Sequence, residues 1–276
     1  MSDEVWDALH RRLCERMTAY PGIAGFAVRD LTDGTSIGSR AEEAFPSAST
    51  IKIHILTALL REAERGAVSL EERIALAPEL RTSGSGVLTY LEHPVDLSLY
   101  DIAVLMILVS DNTATNICIR RVGMERVNKL IAELGLRQTA LRRLMQDREA
   151  ILAGRENVST PLELVSTLVA LRSGLPTAPS AQQALAVLAK SKPSPFRVAI
   201  PADITMAHKT GRMPRVRAEA ALVHLPRRPY ALAVMTRYSM NDEAEQDAFL
   251  SDIARETHRV MSALATSTPY GQGLPA

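Results

Sequence analysis

The sequence predicts an α+β fold, in which an antiparallel sheet is flanked by terminal helices and an all-α lobe is inserted between its strands. Two observations support this prediction. Strand-like patterns occur near both chain ends, as an alternating segment after the first helix and as apolar runs late in the chain, and helical periodicity dominates the residues between them. Because strands at the two ends pair most simply into one sheet, we expect a single domain over 1–276. Its α/β lobe should comprise 1–44 and 195–276, and its all-α lobe 45–194.

The N-terminal segment reads as a helix followed by a β-hairpin. Apolar residues recur at helical spacing over 2–19, and residues 23–29 alternate as in a strand. Asp33-Gly34 is a turn signal, and a return strand begins at Thr35. The run from Gly34 to Gly38 also matches the G-x-S-x-G pattern of hydrolase nucleophiles. That nucleophile needs a strand, a sharp turn and then a helix, so we interpret the match as turn chemistry.

The rest of the chain reads as helices and then strands. Helical patterns are predicted over 49–66, 99–108, 114–122, 125–134, 161–171 and 181–189. Residues 68–97 read mostly as loop, 141–159 show no clear periodicity, and 193–201 are rich in proline. Apolar runs predict strands over 204–209, 218–225 and 230–236, and a last helix begins at Asn241.

Composition excludes several classes of partner. The net charge is +1 with scattered charges, and aromatic residues make up 4%, which argues against a nucleic-acid surface. No apolar run is long enough to span a bilayer, so no membrane partner is expected. The first residues show no apolar signal-peptide core, which predicts a cytoplasmic protein, or an exported one if a precursor was trimmed. Cys14 and Cys118 lack C-x-x-C partners and are expected to be buried, reduced thiols.

The central candidate for chemistry is Ser49-Thr50-Ile51-Lys52, at the start of a predicted helix. Side chains three positions apart share a helix face, so a hydroxyl and an amine lie within reach of each other. The helix N-terminus adds free N–H groups that stabilise an anion. Of 32 basic residues only five are lysines, so a lysine at 52 indicates a need that arginine cannot meet, namely loss of a proton.

Two further motifs follow in order. Ser110-Asp111-Asn112 lies in a loop between two predicted helices, and Lys209-Thr210-Gly211 ends a predicted strand. Together the three motifs match the set of serine β-lactamases and penicillin-binding proteins. The longer runs starting at Phe45 and Ser110 resemble class A β-lactamases, and the resemblance covers nearly the whole chain. It implies a β-lactamase/transpeptidase-like fold.

The resemblance implies a role for each motif residue. Ser49 would be the nucleophile and Lys52 its base or proton relay. Ser110 would pass a proton to the leaving group, and the carboxamide of Asn112 would bind a substrate amide. Asp111 is assigned a structural role, fixing its loop through backbone N–H groups.

The third motif is expected to bind substrate. Lys209 and Thr210 would hold a substrate carboxylate, and the backbone N–H groups of Ser49 and Arg212 would form the oxyanion hole. Arg215 and Arg217 add to a basic cluster with Lys209 and Arg212, which predicts an anionic substrate. A solvated basic turn is the alternative.

The chain departs from the family over 141–160. Family members carry a Glu-x-x-Leu-Asn element there that holds the deacylating water. Here Glu149 and Leu152 match the Glu and Leu of this element, but Ala153 replaces the Asn. If the family pattern is instead aligned without gaps from Pro161, the Glu position falls on Leu144. Glu149 is the first candidate for the deacylating base, with Asp147 the second, and slow deacylation is expected.

The predicted function is therefore serine hydrolysis through an acyl-enzyme at Ser49, acting on a β-lactam or a related amide or ester. Two alternatives stay open: a penicillin-binding-type peptidase or esterase with slow deacylation, and a non-catalytic acyl-binding sensor. No cofactor or metal is expected, because no His/Cys cluster has ligand spacing and no glycine-rich phosphate loop occurs. The expected partner is a small-molecule acyl substrate carrying a carboxylate, and the oligomeric state is undetermined.

Overall fold

The computed structural model describes residues 2–93, 95–268 and 270–274. Its α-helices are α1 (Ser2–Ala19), α2 (Lys52–Glu64), α3 (Leu99–Leu108), α4 (Asn112–Val122), α5 (Met124–Glu133), α6 (Arg148–Leu152), α7 (Pro161–Arg172), α8 (Ala178–Leu188), α9 (Pro195–Ala199) and α10 (Glu243–Ala265). Its strands are β1 (Ile23–Asp30), β2 (Ser36–Ser39), β3 (Phe45–Pro46), β4 (Arg73–Ala75), β5 (Asp96–Ser98), β6 (Val158–Ser159), β7 (Met206–Met213), β8 (Val216–Val223) and β9 (Tyr230–Arg237). Short 3₁₀ turns span Ala48–Ile51, Pro78–Leu80 and Leu88–Tyr90.

The first compact unit comprises residues 1–50, 160–169 and 193–276 and contains the main sheet. Five antiparallel strands lie in the order β2-β1-β9-β8-β7, which leaves β7 at an edge. Helices α1 and α10 pack on this sheet, and their apolar stripes share one core with strands β1, β8 and β9. The predicted α+β class, with an antiparallel sheet flanked by terminal helices, is confirmed.

The second compact unit comprises residues 51–159 and 170–192 and is mainly helical. Helix α2 lies at its centre and contacts α3, α4, α5 and α8. Every residue of α2 from Lys52 to Glu62 is buried, including two with charged side chains at the end of that run. Residues 45–50 and 160–169, which the sequence assigned to the all-α lobe, belong to the unit that contains the sheet. The single-domain organisation over 1–276 stays a prediction.

Side-chain caps fix where several helices begin. Asp111 caps α4 by accepting a hydrogen bond from Ala114 N, and Asp147 caps α6 through Ala150 N. Asp242 and Glu245 form a capping box at α10, so this helix begins at Glu243 rather than at Asn241. Pro161 opens α7, as its favoured first-turn position predicts.

The structure corrects several predicted elements. Residues 68–97 are mostly loop, as predicted, but β4 and β5 pair at the two ends of this segment as a short antiparallel ribbon that the sequence did not reveal; Pro94 lies outside the described residues. Helix α6 occurs within 141–159, and α9 occurs within 193–201. These helices are only five residues long, too short to produce a readable period in the sequence.

Two further corrections concern the motifs. Ser49 lies in a 3₁₀ turn rather than in the first turn of an α-helix, and α2 begins at Lys52. The Lys209 motif does not end its strand, because β7 stays paired with β8 until the turn at Pro214–Arg215. The G-x-S-x-G match lies in the β1–β2 hairpin, as expected, with Gly34 in the left-handed region at φ 83°.

Candidate active site

Ser49 lies where the chain turns sharply before α2. It is half-buried within the 3₁₀ turn Ala48–Ile51, which leads directly into Lys52. Ala48 adopts a left-handed φ of 44°, a conformation that costs a non-glycine residue free energy. The turn is closed by the N–H and hydroxyl of Thr50, which both donate to Ser47 O at 3.0 and 2.6 Å. The serine backbone is therefore held in a fixed, strained geometry.

Gly211 on edge strand β7 lies directly against this turn. A Cβ at position 211 would lie 3.0 Å from Ser49 N, 3.0 Å from Ser47 O and 2.9 Å from Ala48 Cβ. Only a residue without a side chain therefore permits this approach. The middle of the third motif is thus brought beside the backbone N–H of the candidate nucleophile, within one compact unit.

The neighbours of Gly211 on β7 differ in exposure. Lys209 is buried and its Nζ donates to Thr210 O at 2.8 Å, whereas Thr210 is half-buried. Arg212 is exposed, and its backbone lies opposite Arg217 in the β7–β8 register.

The basic cluster is partly neutralised by acidic residues of α10. Arg212 binds Asp247 Oδ2 at 2.6 Å, and the buried Arg217 binds Asp247 Oδ1 at 3.1 Å and Glu243 at 3.2 Å. Arg215 is exposed in the β7–β8 turn with φ 60°. The two arginines of β7 and β8 are therefore fixed in position, while Lys209 lies on the strand beside the Ser49 turn.

The second unit brings Lys52, Ser110 and Asn112 together. Lys52 is fully buried at the start of α2, and its Nζ donates to Ser110 O at 2.7 Å and to Ser110 Oγ at 3.1 Å. It also donates to Asn112 Oδ1 at 3.4 Å. An amine, a hydroxyl and a carboxamide thus form one hydrogen-bonded cluster, as the first two motifs predicted.

Burial changes the acidity of the Lys52 ammonium. Desolvation lowers its pKa from 10.5 to about 7, although the Asp111 and Cys118 side chains act in the opposite direction. Burial also raises the pKa of the Cys118 thiol to about 12, so the thiol stays neutral. Lys52 can therefore exist as a free amine near neutral pH, which is the state a general base needs.

Asp111 holds the Ser110 loop rather than facing outward. Its Oδ1 accepts from Ala114 N at 2.9 Å, and its Oδ2 accepts from the N–H groups of Val87 and Leu88 at 2.7 and 2.9 Å. These bonds fix a loop in which Ser110 has a left-handed φ of 56°. Such strain persists only where the surroundings over-determine it, and it is frequent at functional sites. The structural role proposed for Asp111 agrees with these contacts.

The two candidate deacylating carboxylates lie on α6. Asp147 is half-buried, and its carboxylate serves as the helix N-cap. Glu149 is exposed in the first turn of α6, and no contact within the described part of the chain joins it to Lys52, Ser110 or Asn112. The structure therefore groups Lys52 with Ser110 and Asn112 but does not add Glu149 to that group.

Asn116 ties Met145 to α4, and Gln146 lies beside Asn112 over Gly84; the sequence predicted a role for neither. The side chain of Asn116 accepts from Met145 N at 2.8 Å and donates to Met145 O at 3.1 Å. A Cβ at Gly84 would lie 2.6 Å from Gln146 Nε2 and 2.7 Å from Asn112 Nδ2, so these two amides meet over the Gly84 backbone. Position 116 follows 112 by one helical turn, a spacing visible in the sequence, whereas nothing in the sequence indicates Gln146.

Across residues 2–93, 95–268 and 270–274, no group of three or more His, Cys, Asp or Glu side chains is arranged to hold a metal ion. Over the same residues, no helix combines the length and apolar character needed to cross a bilayer.

Comparisons with known proteins agree with one another. The family model described as the beta-lactamase enzyme family matches residues 8–261. A β-lactamase of Streptomyces lavendulae is 29% identical over 240 residues, which cover 83% of this chain and 79% of the relative. The crystal structure of a β-lactamase from Sphaerobacter thermophilus superposes with a TM-score of 0.85 at 30% identity, covering 93% of this chain and 98% of that one. The structure of PBP-A gives 0.83 at 26% identity, covering 92% and 96%.

Proposed function

Because the chain belongs to the beta-lactamase enzyme family, we propose that it hydrolyses a β-lactam, or a related amide or ester, through an acyl-enzyme at Ser49. Membership confirms the predicted class A β-lactamase-like serine hydrolase and the predicted enzyme class. The predicted fold family is confirmed by the same relatives. The substrate and the roles of individual residues are proposals.

The single observation that carries this proposal is the buried cluster of Lys52, Ser110 and Asn112. Lys52 is buried and its pKa is lowered to about 7, so it does not serve as a surface charge. Its burial lowers the stability of the folded protein, because an amine loses hydration when it leaves water. Its hydrogen bond to a serine hydroxyl is the arrangement that proton transfer in acyl transfer needs. Such perturbed groups occur preferentially at catalytic sites.

The proposed reaction has two steps. Ser49 Oγ attacks the carbonyl carbon while the Lys52 amine accepts its proton. As the C–N bond breaks, Ser110 Oγ passes its own proton to the leaving nitrogen and regains one from the Lys52 ammonium, to which it is hydrogen-bonded. The oxyanion is stabilised by the backbone N–H groups of Ser49 and Arg212. Water then attacks the Ser49 ester, which releases the acid and restores the serine hydroxyl.

Intact-protein mass spectrometry after incubation with benzylpenicillin tests the proposal. We expect a mass increase equal to the penicillin, located at Ser49 by peptide mapping and absent in Ser49→Ala. A chromogenic cephalosporin then separates the outcomes: turnover supports hydrolysis, slow release indicates the peptidase or esterase alternative, and one stoichiometric burst indicates a sensor. No label at Ser49 would contradict the proposal.

Release of the acyl group is expected to be slow. The proposed base is Glu149, with Asp147 second, because an attacking water must lose a proton to a nearby acceptor. Glu149 is exposed and Asp147 is occupied as a helix cap, so neither is fixed beside a water site. In single-turnover experiments Glu149→Gln should accumulate acyl-enzyme with normal acylation, and Asp147→Asn serves for comparison. If both variants release the acyl group at the parental rate, neither carboxylate activates the water, and Lys52 is the remaining candidate for the base.

The substrate is proposed to carry a carboxylate bound by Lys209 and Thr210. Lys209→Ala should raise KM for a carboxylate substrate by about ten- to a hundredfold, the value of a charge-assisted hydrogen bond, and change KM for its neutral ester far less. Arg215→Ala is the matched control, since Arg215 is an exposed basic residue of the adjacent turn. Equal effects on acid and ester would count against a carboxylate site.

One finer prediction accompanies this function. The cytoplasmic location stays a prediction from the N-terminal residues. The oligomeric state is open, and the proposed reaction needs only one chain, since every assigned residue belongs to it.

A further inference from the structure

We propose that a cleft in the second unit, lined by Arg81 and Arg120, binds a carboxylate on the acyl side chain of the substrate, an inference that rests on the proposed function. This carboxylate is distinct from the one assigned to Lys209. The cleft lies beside Asn112, the residue assigned to the substrate amide. Its lining comprises Arg81, Thr82, Ser83, Asn116, Arg120, Leu144, Met145, Gln146 and Asp147.

Three segments of the chain build the cleft and are tied together by hydrogen bonds. Thr82 N donates to Thr113 Oγ1 at 2.8 Å, which fixes the segment carrying Arg81 to helix α4. Asn116 Nδ2 donates both to Thr82 Oγ1 and to Met145 O, each at 3.1 Å. The walls are therefore preformed, and a ligand does not have to order them.

The charge of the cleft is positive and unpaired. Within the described part of the chain, neither Arg81 nor Arg120 has a carboxylate at ion-pair distance or a side-chain hydrogen bond. The Nε of Arg81 is buried and lacks a hydrogen-bond partner among the described residues, which is costly unless a ligand supplies an acceptor. The carboxylate of Asp147 accepts from Ala150 N, so it serves its own helix. Arginine is the side chain best suited to bind a carboxylate through two parallel hydrogen bonds.

The position of the cleft on α4 defines how far the carboxylate lies from the reacting amide. Asn112, Asn116 and Arg120 follow at intervals of four residues and so share one face of α4. Asn112 and Arg120 are about 12 Å apart along the helix axis, and helical side chains lean toward the N-terminus, which brings the guanidinium closer to Asn112. A flexible spacer of about four methylenes between the amide carbonyl and the carboxylate is shorter than this span, and the Arg120 side chain, which leans toward Asn112, covers the remainder.

The test compares two penicillins that differ only at the end of the acyl chain, 6-adipoylaminopenicillanic acid and 6-hexanoylaminopenicillanic acid. We expect the parent to acylate about tenfold faster, as kcat/KM, with the adipoyl compound. Arg81→Gln and Arg120→Gln should each reduce this preference, and the double variant should abolish it without changing the rate for the hexanoyl compound. Raising the salt concentration should weaken the preference.

Arg121→Gln is the matched control, because Arg121 is the neighbouring arginine of α4 and is paired with Glu72 outside the cleft. The Arg121→Gln variant should prefer the adipoyl over the hexanoyl compound by the same factor as the parent. No preference in the parent, equal loss with both penicillins, or equal loss in Arg121→Gln would overturn the proposal.

Binding to Ser49→Ala, which cannot form an acyl-enzyme, separates this proposal from the proposed function. Tighter equilibrium binding of the adipoyl compound, lost in the Arg81→Gln/Arg120→Gln background, supports the cleft whatever the chemistry. If the parent is acylated but Ser49→Ala binds both penicillins equally, the proposed carboxylate site in the cleft is contradicted and the proposed acyl-enzyme function is supported. If neither penicillin labels the parent at Ser49, the function is wrong and the binding result still decides the cleft.

Discussion

Acylation of Ser49 should slow by about a hundredfold or more when Lys52 is replaced by arginine, the contribution typical of a positioned general base. Arginine keeps a positive charge but cannot lose its proton, so it cannot accept the proton of Ser49. Rapid-quench measurement of covalent labelling gives the rate directly. Lys129→Arg is the control, since Lys129 is exposed on α5 and should label at the parental rate.

The pH dependence of the parent provides an independent check on the same amine. Because burial lowers the pKa of Lys52 to about 7, the free amine predominates above that pH and the ammonium below it. The acylation rate should therefore rise with pH through about 7 and then level off. Normal labelling by Lys52→Arg, or a parental rate that does not change between pH 5 and 8, would sink the assignment of Lys52 as the base.

The same lowered pKa has a consequence for stability. The unfolded lysine keeps its proton up to its ordinary pKa of 10.5, whereas the folded one loses it near 7. Between these values the unfolded state binds more protons, so rising pH stabilises the folded parent. The Lys52→Met variant has no titrating side chain at this position and therefore lacks this pH-dependent contribution to stability. Relative to that variant, the free energy of unfolding of the parent should rise by about 1.4 kcal/mol per pH unit in this window, measured by urea denaturation.

A second large loss of acylation is expected for Gly211→Ala. The added methyl group would lie 2.9 Å from Ala48 Cβ, a distance that Cβ atoms essentially never show, and at a tight 3.0 Å from both Ser49 N and Ser47 O. Strand β7 or the Ser49 turn must therefore move. Displacing a proposed oxyanion donor by even part of an ångström is expected to slow acylation by about a hundredfold.

Gly273→Ala is the matched control for this glycine, because no atom of the described residues other than its chain neighbours lies within 4 Å of its Cβ position. Thermal unfolding should show whether Gly211→Ala remains folded, and labelling by benzylpenicillin then reports the chemistry. Parental labelling of a folded Gly211→Ala variant would show that the strand does not control the geometry of Ser49.

The sequence alone determined those features that depend on a few neighbouring residues. The hairpin turn at Asp33-Gly34 and the helix start at Pro161 follow from local backbone geometry. The three motifs, taken in order, were sufficient to indicate the family. Local rules reach their limit where an element is short, which is why α6 and the β4–β5 ribbon were not predicted.

Only the tertiary structure decided the chemical state of these residues. The pKa of Lys52 falls to about 7 because helices packed around α2 remove its amine from water, and no local pattern encodes that desolvation. Likewise, Gly211 lies against the Ser49 turn although 162 positions separate the two residues in sequence, and Glu149 is exposed on a helix that the sequence did not reveal. Arg81 and Arg120 lie 39 positions apart and line one cleft because hydrogen bonds through Thr113 and Asn116 bring their segments together. Separation in sequence does not predict such contacts, because packing and desolvation depend on residues that are remote in sequence.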